Sequence, residues 1–384
     1  MPRERKGSIR ERRGGVFARV TFTDDTGNRR EIERKAENRT HAKQLIKDVI
    51  RQLDDGVDIL GSNSLTLDKY LDQWLEIVKS KLSNKTYSDY QQLFRLYVRP
   101  VIGKKALSNI KPLNIQSLYK GMQEKGLSPK TIRYVHTTLS VALKQAVRWR
   151  MIIQNPCTAV ELPKLQRKEM QSLSPEDATR FIEAARQDRH GLIFILALTT
   201  GMRPEEYLGL QWKDIDFNRH SVTVQRVLCW HRNGGGYYLD EPKTAKSRRA
   251  IPIPVSLIHD LIEHKRKQSE QRLKAGSKWK DQDLVFATSE GKPLQPNNLI
   301  KRHFKPVLRK AGLSESIRLY DLRHSCATLL LSEGENAKIV SERLGHSSIV
   351  LTLDTYSHVL PSMQRGASDK LEKLLFGSKS NTNN

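Results

Sequence analysis

LIFILALTTGMRPEEYLGLQWKDID, residues 192–216, decides how the larger part of this chain is read. Its first ten residues are almost wholly apolar and make a buried segment. Gly201 marks a turn, and Arg203 comes just after it. Glu206 follows one helical turn later, so the two side chains share a face. Around this stretch, residues 170–375 mix helices and strands. Ser174, with Glu176 and Asp177 behind it, opens the helix SPEDATRFIEAARQ. HSVTVQRVLCW reads as a strand, Gly234-Gly235-Gly236 as a flexible turn, and RRAIPIP as a further strand. More helices follow to about Leu375. The tail GSKSNTNN is polar and expected to be disordered.

Residues 65–165 read as all-helical. LDKYLDQWLEIVKSKL carries apolar residues at a spacing of three to four. SNKTYSDYQQLFRLYVRPVI begins at a Ser83/Asn84 cap and is expected to end near Pro100. Ser128-Pro129 caps KTIRYVHTTLSVALKQAVRWRMI. Lys85, Arg95, Arg99, Lys104, Lys105, Lys130, Arg133, Lys144, Arg148 and Arg150 interleave with the apolar stripe, which leaves a basic side for phosphates. Residues 1–55 form a small unit. GVFARVTFTDD alternates at strand period, Asp25-Thr26-Gly27-Asn28 is a turn, and RREIERKA is a second strand. Thr40 then caps the helix HAKQLIKDVIRQL. A sheet this small buries little core, so its open face is free to enter a DNA groove. GVDILGSNS, residues 56–64, is a linker, and KLQRKEM a charged connector. The expected class is therefore multidomain α+β. It comprises a β-sheet-plus-helix unit (1–55), a helical unit (65–165) and a mainly α unit with a small antiparallel sheet (170–375).

Charge narrows the partner. The 384 residues carry a formal net charge of +25, and residues 61–170 hold 19 Lys and Arg against 7 Asp and Glu. An excess running through a whole globular segment points to a polyanion, and to nucleic acid rather than a membrane surface. No run of eighteen apolar residues is present, and the basic N-terminus lacks the apolar core of a secretory signal. Cys157, Cys229 and Cys326 are far apart, as reduced thiols of a cytosolic protein would be. The chain has no GxxxxGK[ST], no dinucleotide fingerprint, no Cys/His zinc cluster and no dense acidic constellation for paired Mg²⁺ ions. A phosphate-directed enzyme of this composition would work with cations supplied by its own side chains.

Four segments supply them: TTGMRPEEYLGLQWKDID with Arg203, EPKTAKSRRAIPIP with Lys243, RLYDLRHSCATLL with Arg323 between Tyr320 and His324, and ERLGHSSIVLTLDTYSHV with His346 and Tyr356. In this order the boxes resemble those of the tyrosine recombinase, or phage integrase, family. The resemblance covers about 170–365 strongly. The helical unit is similar to the family's core-DNA-binding domain by position and charge. The N-terminal unit is similar to the arm-site-binding domain of integrases from temperate phages and conjugative transposons. The resemblance implies that Arg203 and Arg323 are the two catalytic arginines and that Glu206 orients the first. Lys243 is the hairpin lysine, with Lys246 as its competitor, and His324 follows the second arginine. His346 holds the Leu-Gly-His position, and Tyr356 is the nucleophile.

The chemistry is consistent with those roles. Two guanidiniums can clamp the non-bridging oxygens of a phosphodiester, and His346 can add a third donor. A lysine can protonate the leaving 5′-oxygen. A phenol whose free pKa is about 10 needs a cationic pocket to ionise. A phosphotyrosyl bond stores the energy of the cut strand, so neither metal nor cofactor is implied. One position departs from the pattern: three residues before the second arginine the family usually has His or Lys, and here Tyr320 stands. A phenol can donate to phosphate but carries no charge. The implied partners are double-stranded attachment-site DNA, a homotetramer on that DNA, an excisionase and a host DNA-bending protein, in a bacterial cytoplasm. A resolvase, a type IB topoisomerase and a DNA-binding relative without catalysis are the alternatives. Residues 1–55 speak against the resolvase.

Overall fold

The computed structural model describes residues 6–23, 27–54, 65–165, 171–231, 235–242 and 244–356, with a few separate positions between 368 and 377. Readings placed on Asp25, Thr26, 56–64, 166–170, Gly234, Lys243 and most of the tail lie outside the described residues. The chain divides into two compact units, Met1–Arg167 and Lys168–Asn384.

In the first unit β1 (Lys6–Arg12), β2 (Gly15–Thr23) and β3 (Arg29–Ala36) form an antiparallel sheet in the order β1-β2-β3. β1 went unread in the sequence because Ile9 is its only large apolar residue. The alternation in β2 holds: Ala18, Val20 and Phe22 turn inward with Ile32 and Ala36. Against them lie Ala42 and Val49 of α1 (Arg39–Asp54). Asn38, rather than Thr40, caps this helix, its Oδ1 accepting the His41 N–H at 2.8 Å. On the sheet's other face Arg10, Arg12 and Arg19 pair with Glu31 and Glu33.

The helical part of this unit contains α2 (Leu67–Val78), α3 (Asn84–Leu93), α4 (Pro112–Glu124) and α5 (Pro129–Arg148). Ser83 and Ser128 cap α3 and α5, as read. Tyr70, Trp74, Phe94, Leu118 and Leu143 fill the core between them. The helical stretch ends near Pro100, at Ile102, as read. A π-turn over Phe94–Val98 joins α3 to a last helical turn, Arg99–Ile102, with the Arg99 N–H bonded to the Phe94 carbonyl. The widened turn lets a proline without an N–H continue the helix. Of the ten basic residues named above, eight are exposed. Arg99 is instead tied to Asp72 at 2.6 Å and Arg133 to the Pro163 carbonyl at 2.8 Å.

In the second unit α6 (Pro175–Arg186), capped by Ser174, packs on α7 (Gly191–Thr200). α7 is apolar around most of its circumference and runs through the core. A short helix, α8 (Pro204–Leu208), follows. Strands β4 (Ile215–Asp216), β5 (Ser221–Val224) and β8 (Arg249–Pro252) make one antiparallel sheet, and β6 (Val227–Trp230) with β7 (Tyr237–Asp240) makes a separate hairpin. HSVTVQRVLCW is thus two strands rather than one. It breaks at Gln225-Arg226, where the Arg226 guanidinium turns onto the buried Asp214 carboxylate. The long α9 (Val255–Ala275) buries only Leu257, Ile258 and Leu261, which is why its mostly polar sequence did not stand out. Then come α10 (Lys305–Lys310), α11 (Asp321–Ser332), α12 (Ala337–Leu344) and α13 (Ile349–Tyr356). The α+β class stands, with helices dominant and small antiparallel sheets. Among the described residues no helix is long and apolar enough to cross a membrane.

Candidate active site

The first arginine is placed by a turn that only glycine tolerates. α7 ends at Gly201, whose φ of +65° is left-handed; a Cβ there would meet Leu344 at 2.6 Å and Cys326 at 3.3 Å. Two residues later Arg203 is extended and caps α8. Glu206 reaches back: one oxygen accepts the Arg203 N–H at 2.9 Å, and the other accepts its guanidinium at 2.7 Å. From the opposite side Arg249, at the start of β8, donates to both Glu206 oxygens at 3.0 and 3.3 Å. It is also anchored on the Ser247 and Arg343 carbonyls. Glu206 is 2% exposed. Burial would raise its carboxyl, but Arg249 and Arg203 overcome this and hold it below its ordinary value.

Arg323 projects from the first turn of α11 and is 1% exposed. One terminal nitrogen donates to the Gly201 carbonyl at 2.7 Å, which ties α11 to the glycine turn. The other, Nη2, is buried with no partner among the described residues. Burial, then the Arg203 charge nearby, brings the guanidinium down to about 10, so it stays a cation near neutral pH. Arg203, Arg249 and Arg323 share only the Glu206 carboxylate between them, so the cluster keeps a net positive charge of about two.

His346 follows Gly345, at φ +68°, after α12. Its Nδ1 lies 2.7 Å from the hydroxyl of buried Thr352. Burial and the three arginines press it down to about 4, so near neutral pH it is a neutral hydrogen-bonding ring. Tyr356 ends α13 and is 1% exposed, its phenol oxygen 2.9 Å from His324 Nδ1. Burial pushes this phenol above its ordinary value, against the opposing pull of Arg323. Tyr320 lies just before α11 and is 38% exposed, its ring set edge-on to that of His324 with the centroids 5.2 Å apart.

The fold therefore gathers Arg203, Glu206, Tyr320, Arg323, His324, His346 and Tyr356. Lys243 falls outside the described residues, and its competitor Lys246 donates to the Ser347 carbonyl beside His346 at 2.8 Å. Sequence reading missed Arg249. The doublet Arg248-Arg249 ahead of an apolar strand is its signal, and by local pattern alone it marks no more than the start of that strand. Thr352, which holds His346, was passed over inside the run that ends on the tyrosine. This arrangement offers a cluster of guanidiniums with one buried nitrogen, Arg323 Nη2, unpartnered among the described residues, a neutral imidazole and a sheltered phenol, the donor set suited to a tetrahedral oxyanion.

Comparison with known proteins speaks to the family and the fold. Residues 168–363 match the description "Phage integrase family", and residues 66–123 match "Phage integrase, N-terminal SAM-like domain". A tyrosine recombinase XerC-like protein of Caldanaerobacter subterraneus subsp. tengcongensis is 32% identical, over 94% of this chain and 97% of its own. The ICEBs1 integrase of Bacillus subtilis is 28% identical over 92% and 95%. Two solved structures share the fold. The Tn1549 transposon integrase in complex with circular intermediate DNA has a TM-score of 0.66 and 23% identity, covering 80% of this chain and 100% of that one. A lambda integrase tetramer bound to a Holliday junction has a TM-score of 0.55 and 21% identity, covering 88% and 95%. The chain belongs to the phage integrase family of tyrosine recombinases, enzymes that break and rejoin DNA at specific sites.

Proposed function

We propose that this recombinase integrates and excises a mobile element by attack of Tyr356 on a backbone phosphate of attachment-site DNA. The bond from the phenol oxygen to phosphorus forms as the bond to the 5′-oxygen breaks, leaving a 3′-phosphotyrosyl strand. Arg203 and Arg323 hold the non-bridging oxygens and His346 adds a neutral donor, while Lys243 protonates the departing 5′-oxygen. A 5′-hydroxyl from a second duplex then reverses the step, so the energy of the cut bond is kept. Glu206, with Arg249 behind it, keeps Arg203 aimed.

The observation that carries this reading is Arg323 Nη2, a buried guanidinium nitrogen with no partner among the described residues. Burying a charged donor unpaired costs several kcal/mol unless an anion arrives to meet it. A phosphate oxygen would meet it. We assign residues 1–55 to arm-site binding, 65–165 to core-site binding and 170–375 to catalysis. The working assembly would be a homotetramer pairing two duplexes, directed by an excisionase and a host DNA-bending protein.

Nicked suicide substrates carrying the attachment site test the reading. Wild type forms a covalent protein–DNA adduct, and Tyr356→Phe forms none. Tyr320→Phe lowers the yield modestly and Tyr320→His preserves it. Loss of adduct with Tyr320→Phe, while Tyr356→Phe stays active, would assign the nucleophile to Tyr320.

A further inference from the structure

The fate of the phenol's own proton is left open by the roles assigned above. Tyr356 is buried, and its neighbourhood raises the cost of ionising it in advance. The proton must therefore leave as the bond to phosphorus forms, and it needs an acceptor within hydrogen-bond reach. His324 Nδ1 is 2.9 Å from the phenol oxygen. Tyr320, the residue that precedes α11, packs its ring against His324 but is a phenol and no base near neutral pH.

We infer that His324 is the general base of the cleavage step, its Nδ1 taking the proton of Tyr356 as the nucleophile attacks. This rests on the assignment of Tyr356 as nucleophile. As the oxygen–phosphorus bond forms, the phenol proton passes to Nδ1 and the ring becomes imidazolium. The bond to the 5′-oxygen breaks, and that oxygen takes its proton separately from the site's lysine. On rejoining, the imidazolium returns its proton to the departing phenolate, so each cycle ends with His324 neutral. Its surroundings keep it in the accepting form. Burial lowers its pKa first; Asp321 opposes this, and Arg323 and Arg318 add to it. The described groups that face it from outside α11 are Arg318, the Tyr320 and Tyr356 phenols and, at longer range, neutral His346. Asp321 is engaged by Arg318 at 2.7 Å, so it does not turn the ring into a standing cation.

Single-turnover adduct formation on the suicide substrate, with enzyme saturating and pH varied, tests the inference. In wild type the rate climbs through an inflection below 6.5, where His324 loses its proton, and then levels. His324→Asn keeps a hydrogen-bonding group near the phenol but cannot take its proton. Its rate falls about 100-fold or more near neutral pH, the usual size of a general-base contribution. Its profile loses the inflection and keeps climbing into the alkaline range, where the phenol ionises unaided. A profile parallel to wild type, at whatever level, overturns the inference, since a positioning hydrogen bond alone predicts that. If His324→Asn forms no adduct at any pH, imidazole added to His324→Ala decides: restored cleavage supports the base, and no restoration overturns it. Absence of adduct from wild type would instead sink the nucleophile assignment beneath it.

Discussion

At the scale of single residues, Glu206 orders the site by standing between two arginines that lie far apart in the chain. Arg203 is three residues away, whereas Arg249 is 43 away and joins only through the strand that carries it. Arg249→Ala leaves a buried carboxylate with one partner and frees the Arg343 carbonyl. Unfolding free energy should fall by about 3 kcal/mol, read as a lower Tm, because breaking a buried ion pair strands the remaining charge. The pH dependence has a definite sign. Glu206 has a folded pKa below its unfolded one, so its contribution is complete above the ordinary carboxylate value and lost as pH falls through the folded value. The stability gap between wild type and Glu206→Gln therefore narrows below about pH 4. A gap that widens in acid would show that Glu206 is not held by its arginines. Arg203, Arg323, His346 and Tyr356 could be named from the sequence because each sits in a short run whose order is itself the signal. Arg249 could not, because its meaning lies in a partner that no local pattern contains.

At the scale of elements, the turn from α7 to α8 is the hinge on which the cationic cluster depends. Gly201 gives α7 its left-handed stop and offers its carbonyl to Arg323. Gly201→Ala meets two penalties at once, a strained backbone and a Cβ 2.6 Å from Leu344. Together they should cost about 2–4 kcal/mol. Adduct formation should fall further than stability alone explains, because both arginines are referenced to this turn. Equal losses in thermal melting and cleavage would reduce Gly201 to a packing role. Element boundaries were less legible than element types. Ser83, Ser128 and Ser174 announced their helices because a cap is a local event. The break at Gln225-Arg226 was hidden because a distant carboxylate decided it, and the π-turn over Phe94–Val98 left no local mark, although the helix ends near Pro100 as its sequence indicates.

At the scale of the whole molecule, charge governs how DNA is met. The net +25 is unevenly placed, and the helical part of the first unit exposes Lys85, Lys104, Lys105 and Lys144. Changing these four together to Ala should lower the slope of log affinity against log salt by more than one, since each lost phosphate contact removes about one released counterion. Arg133→Ala, by contrast, should leave the slope unchanged and lower Tm, because its guanidinium is spent on the Pro163 carbonyl. An equal drop in slope for both would place Arg133 on the DNA. The family and the α+β class were legible along the chain, and so were the candidate nucleophile Tyr356 and most of the candidate cations proposed to surround it. Those follow from ordered local motifs, helix caps and a charge excess, all of which act over a few residues. Folding in three dimensions was needed to show that Glu206 is shared by two arginines, that Arg323 Nη2 is buried with no partner among the described residues, and that His324 rather than Tyr320 holds the phenol. Each of these is a contact between elements, set by how α7, α11, α13 and β8 pack, and packing distances are not written in the spacing of residues along a chain.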